Sequence, residues 1–203
     1  MKNTIELKVG EKTVDVSKFF NKNLEGAEKA SEIKKAVIKD EYCSYTYELL
    51  TGKTKGDMIS RKGVHVVHED MLEAFQNLEV FLAHLDDAFS SWAVNQTPIQ
   101  ELEADEKLDL YTVTAFKIAG IEENQAVILC GNKVVANGII SFETPKIKLS
   151  GSYLYAEELQ MRLQVAISEV ELYSEGKAAP QFEQSSMKFP DEVEPDFDNA
   201  KLN

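Results

Sequence analysis

The chain has 203 residues, 43% of them hydrophobic, enough apolar material for a packed core, which excludes a wholly disordered protein. Its formal net charge is -13, with 35 acids against 22 lysines and arginines, so nucleic acid is repelled at long range unless basic groups are gathered in one place. Only Arg61 and Arg162 are arginines, poor equipment for bidentate reading of guanine or phosphate.

The opening MKNTIELKVGEK holds no apolar run of signal-peptide length. No segment reaches the roughly 20 apolar residues of a membrane span. Both features point to a cytoplasmic protein without a membrane partner. IELKV and TVDVSKFF alternate around Gly10-Glu11, as a short hairpin does. Ala27, Ala30, Ile33 and Val37 predict a helix over 24–38. DEYCSYTYELL reads as an aromatic-rich strand, and TGKTKGDMISRKG, with Gly52, Gly56 and Gly63, as a loop or wide hairpin.

Met71, Phe75, Leu78, Leu82, Leu85 and Phe89 recur every three or four residues and predict one amphipathic helix from 69 to about 90. Glu69 and Asp70 suit its positive N-terminal end. An acidic connector, ELEADEKLD, leads to four strand-like stretches, LYTVTAFKI, AVILC, KVVA and IISFE. Gly120, Gly131-Asn132 and Asn137-Gly138 are the turns expected between them. A last helix is expected from about Tyr153 to Glu175, stopped by Gly176. Beyond it periodicity is lost, and 177–203 holds six carboxylates, three lysines and three of the five prolines. The expected organisation is one α+β domain over 1–176, an antiparallel sheet covered by two long amphipathic helices, followed by a disordered acidic tail over 177–203. Cys43 and Cys130, with no CxxC, read as buried free thiols.

The stretch VHVVHED raises the question of a metal site. His65 and His68, in an extended chain, point to opposite faces. His68 and His84 on one helix would stand roughly 24 Å apart. No third ligand lies at a known spacing, so no metal and no cofactor is expected. Asp15, Glu32 and Lys34 fit a D…ExK nuclease pattern, but Glu32 and Lys34 fall on the predicted helix rather than a strand. No nucleophile elbow or phosphate loop is present, and no catalytic residue is assigned.

One basic island stands out. Tyr45 and Tyr47 share a strand face, and Lys53, Lys55, Arg61 and Lys62 follow with Asp57 as the single acid among them. Aromatic rings beside cations suit single-stranded nucleic acid. In the tail, Phe189 and Phe197 stand among Asp191, Glu192 and Asp198, the pattern of a segment that docks on a partner protein or competes for the protein's own nucleic-acid groove.

The acidic charge, the β-rich body and the Phe-bearing acidic tail resemble single-stranded DNA-binding proteins of bacteriophages and bacteria. CSYTYELL, GVHVVHEDM and LYTVTAFKIAG are similar to stretches of uncharacterised phage and prophage proteins. The resemblance implies an OB-like sheet and a non-catalytic accessory role in replication or recombination. Single-stranded DNA would be one partner, and replication or recombination proteins, through the tail, the others. This tail continues through NAKLN where those tails end on an apolar or acidic tip. Two other readings stand beside it. One is an acidic inhibitor or adaptor, a DNA mimic that binds a basic host protein, because removing the tail takes away only -3 of the -13. The other is a carboxylate-dependent nuclease. Each long helix can also meet a second subunit, so a homo-oligomer is an open alternative.

Overall fold

β-Branched and aromatic residues are frequent in 31–66 and 111–143, and one antiparallel sheet collects both stretches. The computed structural model describes residues 6–9, 12–15, 29–89, 97–120 and 124–180, the first two stretches by backbone alone. Strands β1 (Glu6–Val9) and β2 (Lys12–Asp15) pair across Gly10-Glu11, the expected hairpin. The main sheet holds β3 (Ser31–Lys39), β4 (Tyr42–Leu49), β5 (Met58–Val66), β6 (Tyr111–Ala119), β7 (Ala126–Val135), β8 (Gly138–Glu143) and β9 (Ile147–Lys148). Its order is β5-β4-β3-β6-β7-β8, with β9 also on β7. The sheet is open: β5 and β8 are its edges and do not pair with each other, so the closure of an OB barrel is not seen among the described residues.

Helices cover one face of this sheet. They are α1 (Glu69–Gln76), α2 (Glu79–Leu85), the single turn α3 (Ile99–Leu102) and α4 (Ala156–Ser174), with a 3₁₀ turn at Glu106–Leu110. α1 packs on α4 and β6, α2 on β6 and β7, and α4 on β3. Between the layers lie Phe81, Phe116, Met71, Leu78, Leu82, Leu129, Leu159 and Leu163, all almost wholly buried. Each such side chain contributes about 1.5–3 kcal/mol by leaving water. The α+β class is as expected.

Three sequence expectations need correction. Residues 31–39 are a strand, not part of a helix over 24–38. The register between β3 and β4 shifts at Lys34, a bulge, so the core side chains fall at Ile33, Ala36 and Ile38. Of the residues read as a helical stripe, Ile33 faces the core while Val37, opposite Ser44, faces the other side. The stretch read as a loop or wide hairpin is a wide hairpin, its turn ending at Asp57 and Met58–Val66 forming strand β5. Gly131 is not a turn but lies inside β7. A Cβ there would sit 2.3 Å from the Thr112 carbonyl oxygen and 2.4 Å from Leu82 Cδ2, so glycine admits α2 against the strand.

The single helix expected from 69 to about 90 is two. His68 caps α1, its Nδ1 accepting from the Asp70 amide at 3.2 Å. The helix breaks at Asn77-Leu78, where the Leu78 amide turns back to Phe75. Arg162 of α4 donates to the Asn77 carbonyl at 3.0 Å, pairs with Glu103, and lies over the Phe81 ring at 5.4 Å. The break is therefore held from outside, by the second of the two arginines. The last helix, α4, spans 156–174 and matches its expectation closely.

Candidate nucleic-acid interface

The basic island sits on the β4–β5 hairpin at one edge of the sheet. Lys53 and Lys55 are exposed on the turn, between Gly52 (φ 80°) and Gly56 (φ 91°). Arg61 and Lys62, also exposed, lie on β5. Successive strand residues point to opposite faces, and this divides the island. Arg61 lies opposite Tyr45, on the helix side, whereas Lys62 lies opposite Ser44, on the helix-free side.

The two tyrosines share the helix side, as the sequence predicts, but not the same surroundings. Tyr45 is 6% exposed. The Tyr173 ring of α4 meets it edge-on at 6.3 Å and 86°, so Tyr45 belongs to the core and its ring is closed to a base. Tyr47, near the strand end, is partly exposed. It stacks on Tyr45 at 6.4 Å and 29°, with the Arg61 guanidinium 5.7 Å from its centroid. Of the pair, only Tyr47 offers an accessible ring beside a cation.

Tyr173 is also held by a hydrogen bond from its hydroxyl to the His65 carbonyl at 2.5 Å. Gly63 makes room for it, since a Cβ there would stand 2.1 Å from that hydroxyl oxygen. The partner-binding residues expected in the tail, Phe189, Asp191, Glu192, Phe197 and Asp198, lie outside the described residues. Residues 177–179, assigned to the tail by sequence, are attached to the body. Lys177 Nζ binds Asp70 Oδ2 at 2.5 Å and Glu169 Oε2 at 2.6 Å, and the Ala179 amide donates to the Val66 carbonyl at 3.0 Å.

The histidines stay apart by role: His65 is exposed on β5, His68 caps α1, and His84 on α2 bonds Tyr153 at 3.1 Å. Among the described residues no three His, Cys, Asp or Glu side chains gather to hold a metal. The D…ExK residues Glu32 and Lys34 do lie on a strand, against expectation. Yet Lys34 Nζ binds Glu32 at 2.7 Å and Glu48 at 3.3 Å, and Gln125 donates to the other Glu32 oxygen at 3.1 Å. Burial opposes the Lys34 charge, but the two carboxylates outweigh it and hold its pKa above the ordinary value. Asp15's side chain lies outside the described residues.

Other ionisable groups found only in three dimensions surround α2. Asp86 accepts from Tyr111 at 2.7 Å and Lys133 at 2.5 Å; burial alone would raise its pKa, and these donors lower it. Glu79 accepts from the Val113 amide at 3.4 Å, and burial pushes its carboxyl up to about 7. Cys43 is wholly buried and its thiol is pushed up to about 11 by desolvation, which leaves it unreactive. No described helix is long and apolar enough to cross a membrane. Comparison with protein-family models, curated proteins and solved structures finds no match to this chain.

Proposed function

We propose that the protein is a non-catalytic, single-stranded DNA-binding accessory protein of the phage replication or recombination type. The observation that supports this reading best is the β4–β5 edge. There a partly exposed tyrosine, Tyr47, has Arg61 over its ring, on a hairpin whose turn carries Lys53 and Lys55, in a molecule of net charge -13. Tyr47 and Arg61 would take a base on their planar faces; Lys53 and Lys55 on the turn, and Lys62 on the opposite face of the hairpin, would hold phosphates. The acidic tail, through Phe189 and Phe197, would engage partner enzymes.

Titration of fluorescent oligothymidine at low salt tests it. Binding is expected, weakening as salt rises because phosphate contacts release counterions. Replacing Lys53, Lys55, Arg61 and Lys62 by alanine should flatten that dependence. Tyr47→Ala should cost about 1–3 kcal/mol of stacking. Removal of 181–203 should raise affinity by taking away a competing acidic segment. The inhibitor reading rests on the charge of the body, -10 over 1–176 once the tail's -3 is subtracted from -13. It predicts flat titrations with and without the tail, and that outcome would sink the proposal.

A further inference from the structure

The face of the sheet turned away from the helices carries charge unlike the rest of the molecule. By register it presents Glu32, Lys35 and Lys39 of β3, Glu48 of β4, Lys62 of β5, Lys117 of β6, Glu143 of β8 and Lys148 of β9. The bulged Lys34 also brings its ammonium to this side, against Glu32 and Glu48. Six lysines thus stand against three glutamates in a protein whose net charge is -13. Asp40 and Glu41, on the β3–β4 turn, lie at the rim.

The pairing inside this face leaves a specific surplus. The three glutamates are engaged by Lys34 and Lys117, the latter bonded to Glu143 at 2.5 Å. No ion pair joins Lys35, Lys39 or Lys62 to a carboxylate among the described residues, and all three are exposed. Lys35 lies directly opposite Lys117 across the β3–β6 ladder. Like charges in register destabilise a sheet; Glu143, bonded to Lys117 and with its carboxyl pKa also lowered by Lys35, offsets part of that repulsion here. Between the lysines lie Val37 and Ala115 together with the hydroxylated Ser44, Thr46 and Ser60, the last two hydrogen-bonded at 2.8 Å. Tyr42, 40% exposed and opposite Lys39, is the one aromatic ring that β3, β4 and β5 turn to this side. Neighbouring strands lie about 4.8 Å apart and alternate residues about 7 Å apart, spacings that let extended phosphates meet successive lysines.

We infer that this helix-free face is the track for the nucleic-acid backbone. A single strand would enter at the Lys53–Lys55 turn and cross β5, β4, β3 and β6 over Lys62, Lys39, Lys35 and Lys117, with Tyr42 stacking one base at the rim. This rests on the single-strand reading above and extends it from the hairpin edge to the whole sheet. Charge complementarity commits the face to a polyanion. The chain's own acidic tail is a rival occupant that the test separates.

The test compares Lys35→Glu/Lys39→Glu with Lys53→Glu/Lys55→Glu, using oligothymidine anisotropy and the full chain. The sheet-face pair should weaken binding about tenfold or more at low salt, and reduce the slope of log affinity against log salt by about 1.4 for two lost contacts. Unchanged melting shows that the fold persists. On the wild-type protein, acetylation of Lys35, Lys39 and Lys117 should slow when oligothymidine is present, a readout independent of any variant. Binding of the sheet-face pair within about twofold of wild type, with no protection of these lysines, overturns the inference. If the turn pair then loses binding, the single-strand reading survives without it. No binding by wild type overturns both. Protection that is already complete without DNA and lost on removing 181–203 assigns the face to the tail instead.

Discussion

Tyr45 and Tyr47 differ by two positions on one strand face, and α4 separates their fates. Tyr45 meets Tyr173 and lies in the core; Tyr47 lies near the strand end, with Arg61 over its ring. Tyr45→Ala should therefore lower unfolding free energy by about 3–5 kcal/mol in urea, as large-to-small core changes do. Tyr47→Ala should cost about 1–2 kcal/mol of stability. Glu79 makes a second residue-scale prediction. Its carboxyl is raised from 4.5 to about 7 by burial, with Asp109 adding to the rise and the Val113 amide opposing it. Between these values the folded protein holds a proton that the unfolded chain has released. The contribution to stability is then present at low pH and lost as pH rises through about 7. Melting temperature should fall from about pH 5 to about pH 8, and Glu79→Gln should flatten that fall. An unchanged profile in the variant would remove Glu79 as its cause.

At the scale of elements, the α1–α2 break depends on a residue of a third helix. Arg162, with its side chain 14% exposed, satisfies the Asn77 carbonyl and the Glu103 carboxylate at once and covers Phe81. Arg162→Ala leaves both acceptors without their donor, and should cost about 2–4 kcal/mol by chemical denaturation. Arg162→Lys should recover only part of this, because an ammonium lacks the planar guanidinium that lies over Phe81. Full stability in the lysine variant would show that charge alone suffices. The β3–β4 turn is similarly unobvious. Asp40 (φ 50°) and Glu41 (φ 66°) occupy left-handed backbone in a two-residue hairpin, positions that glycine or asparagine fills more readily.

For the whole molecule, Lys177 and Ala179, which composition places in the tail, are bonded to the body. Glu169 is 5% exposed, and its carboxylate depends on Lys177, which Asp70 also engages. Lys177→Ala should cost about 1–3 kcal/mol by leaving that buried acid unpaired. Adding Glu169→Gln should restore most of the loss. Truncation after Pro180 should leave melting nearly unchanged, whereas truncation before Lys177 should lower it. Equal melting of the two truncated chains would show that Lys177 and Ala179 do not contribute to stability. The salt-dependent oligonucleotide titration belongs to this scale too, since its sign reports how a net-negative body presents a locally positive surface.

Sequence alone determined what local periodicity and composition can carry. The stripe through Leu159, Leu163, Ile167 and Val170 gave α4 nearly to its ends, and alternation gave β4 and β6. The Gly10-Glu11 signal gave the first hairpin. Local pattern failed where a non-local contact sets the meaning of a residue. The stripe read through Ile33 and Val37 joins residues that the bulge at Lys34 puts on opposite faces, and Gly131 serves Leu82 of α2 rather than a turn. The candidate site divides the same way. The sequence showed that Lys53, Lys55, Arg61 and Lys62 are close along the chain. Pairing of β4 with β5 then put Arg61 and Lys62 on opposite faces and Tyr45 under α4. Lys35 and Lys117 lie 82 positions apart in the sequence and directly opposite in the sheet. Strand order decides such neighbours, because a ladder joins residues by register rather than by distance along the chain.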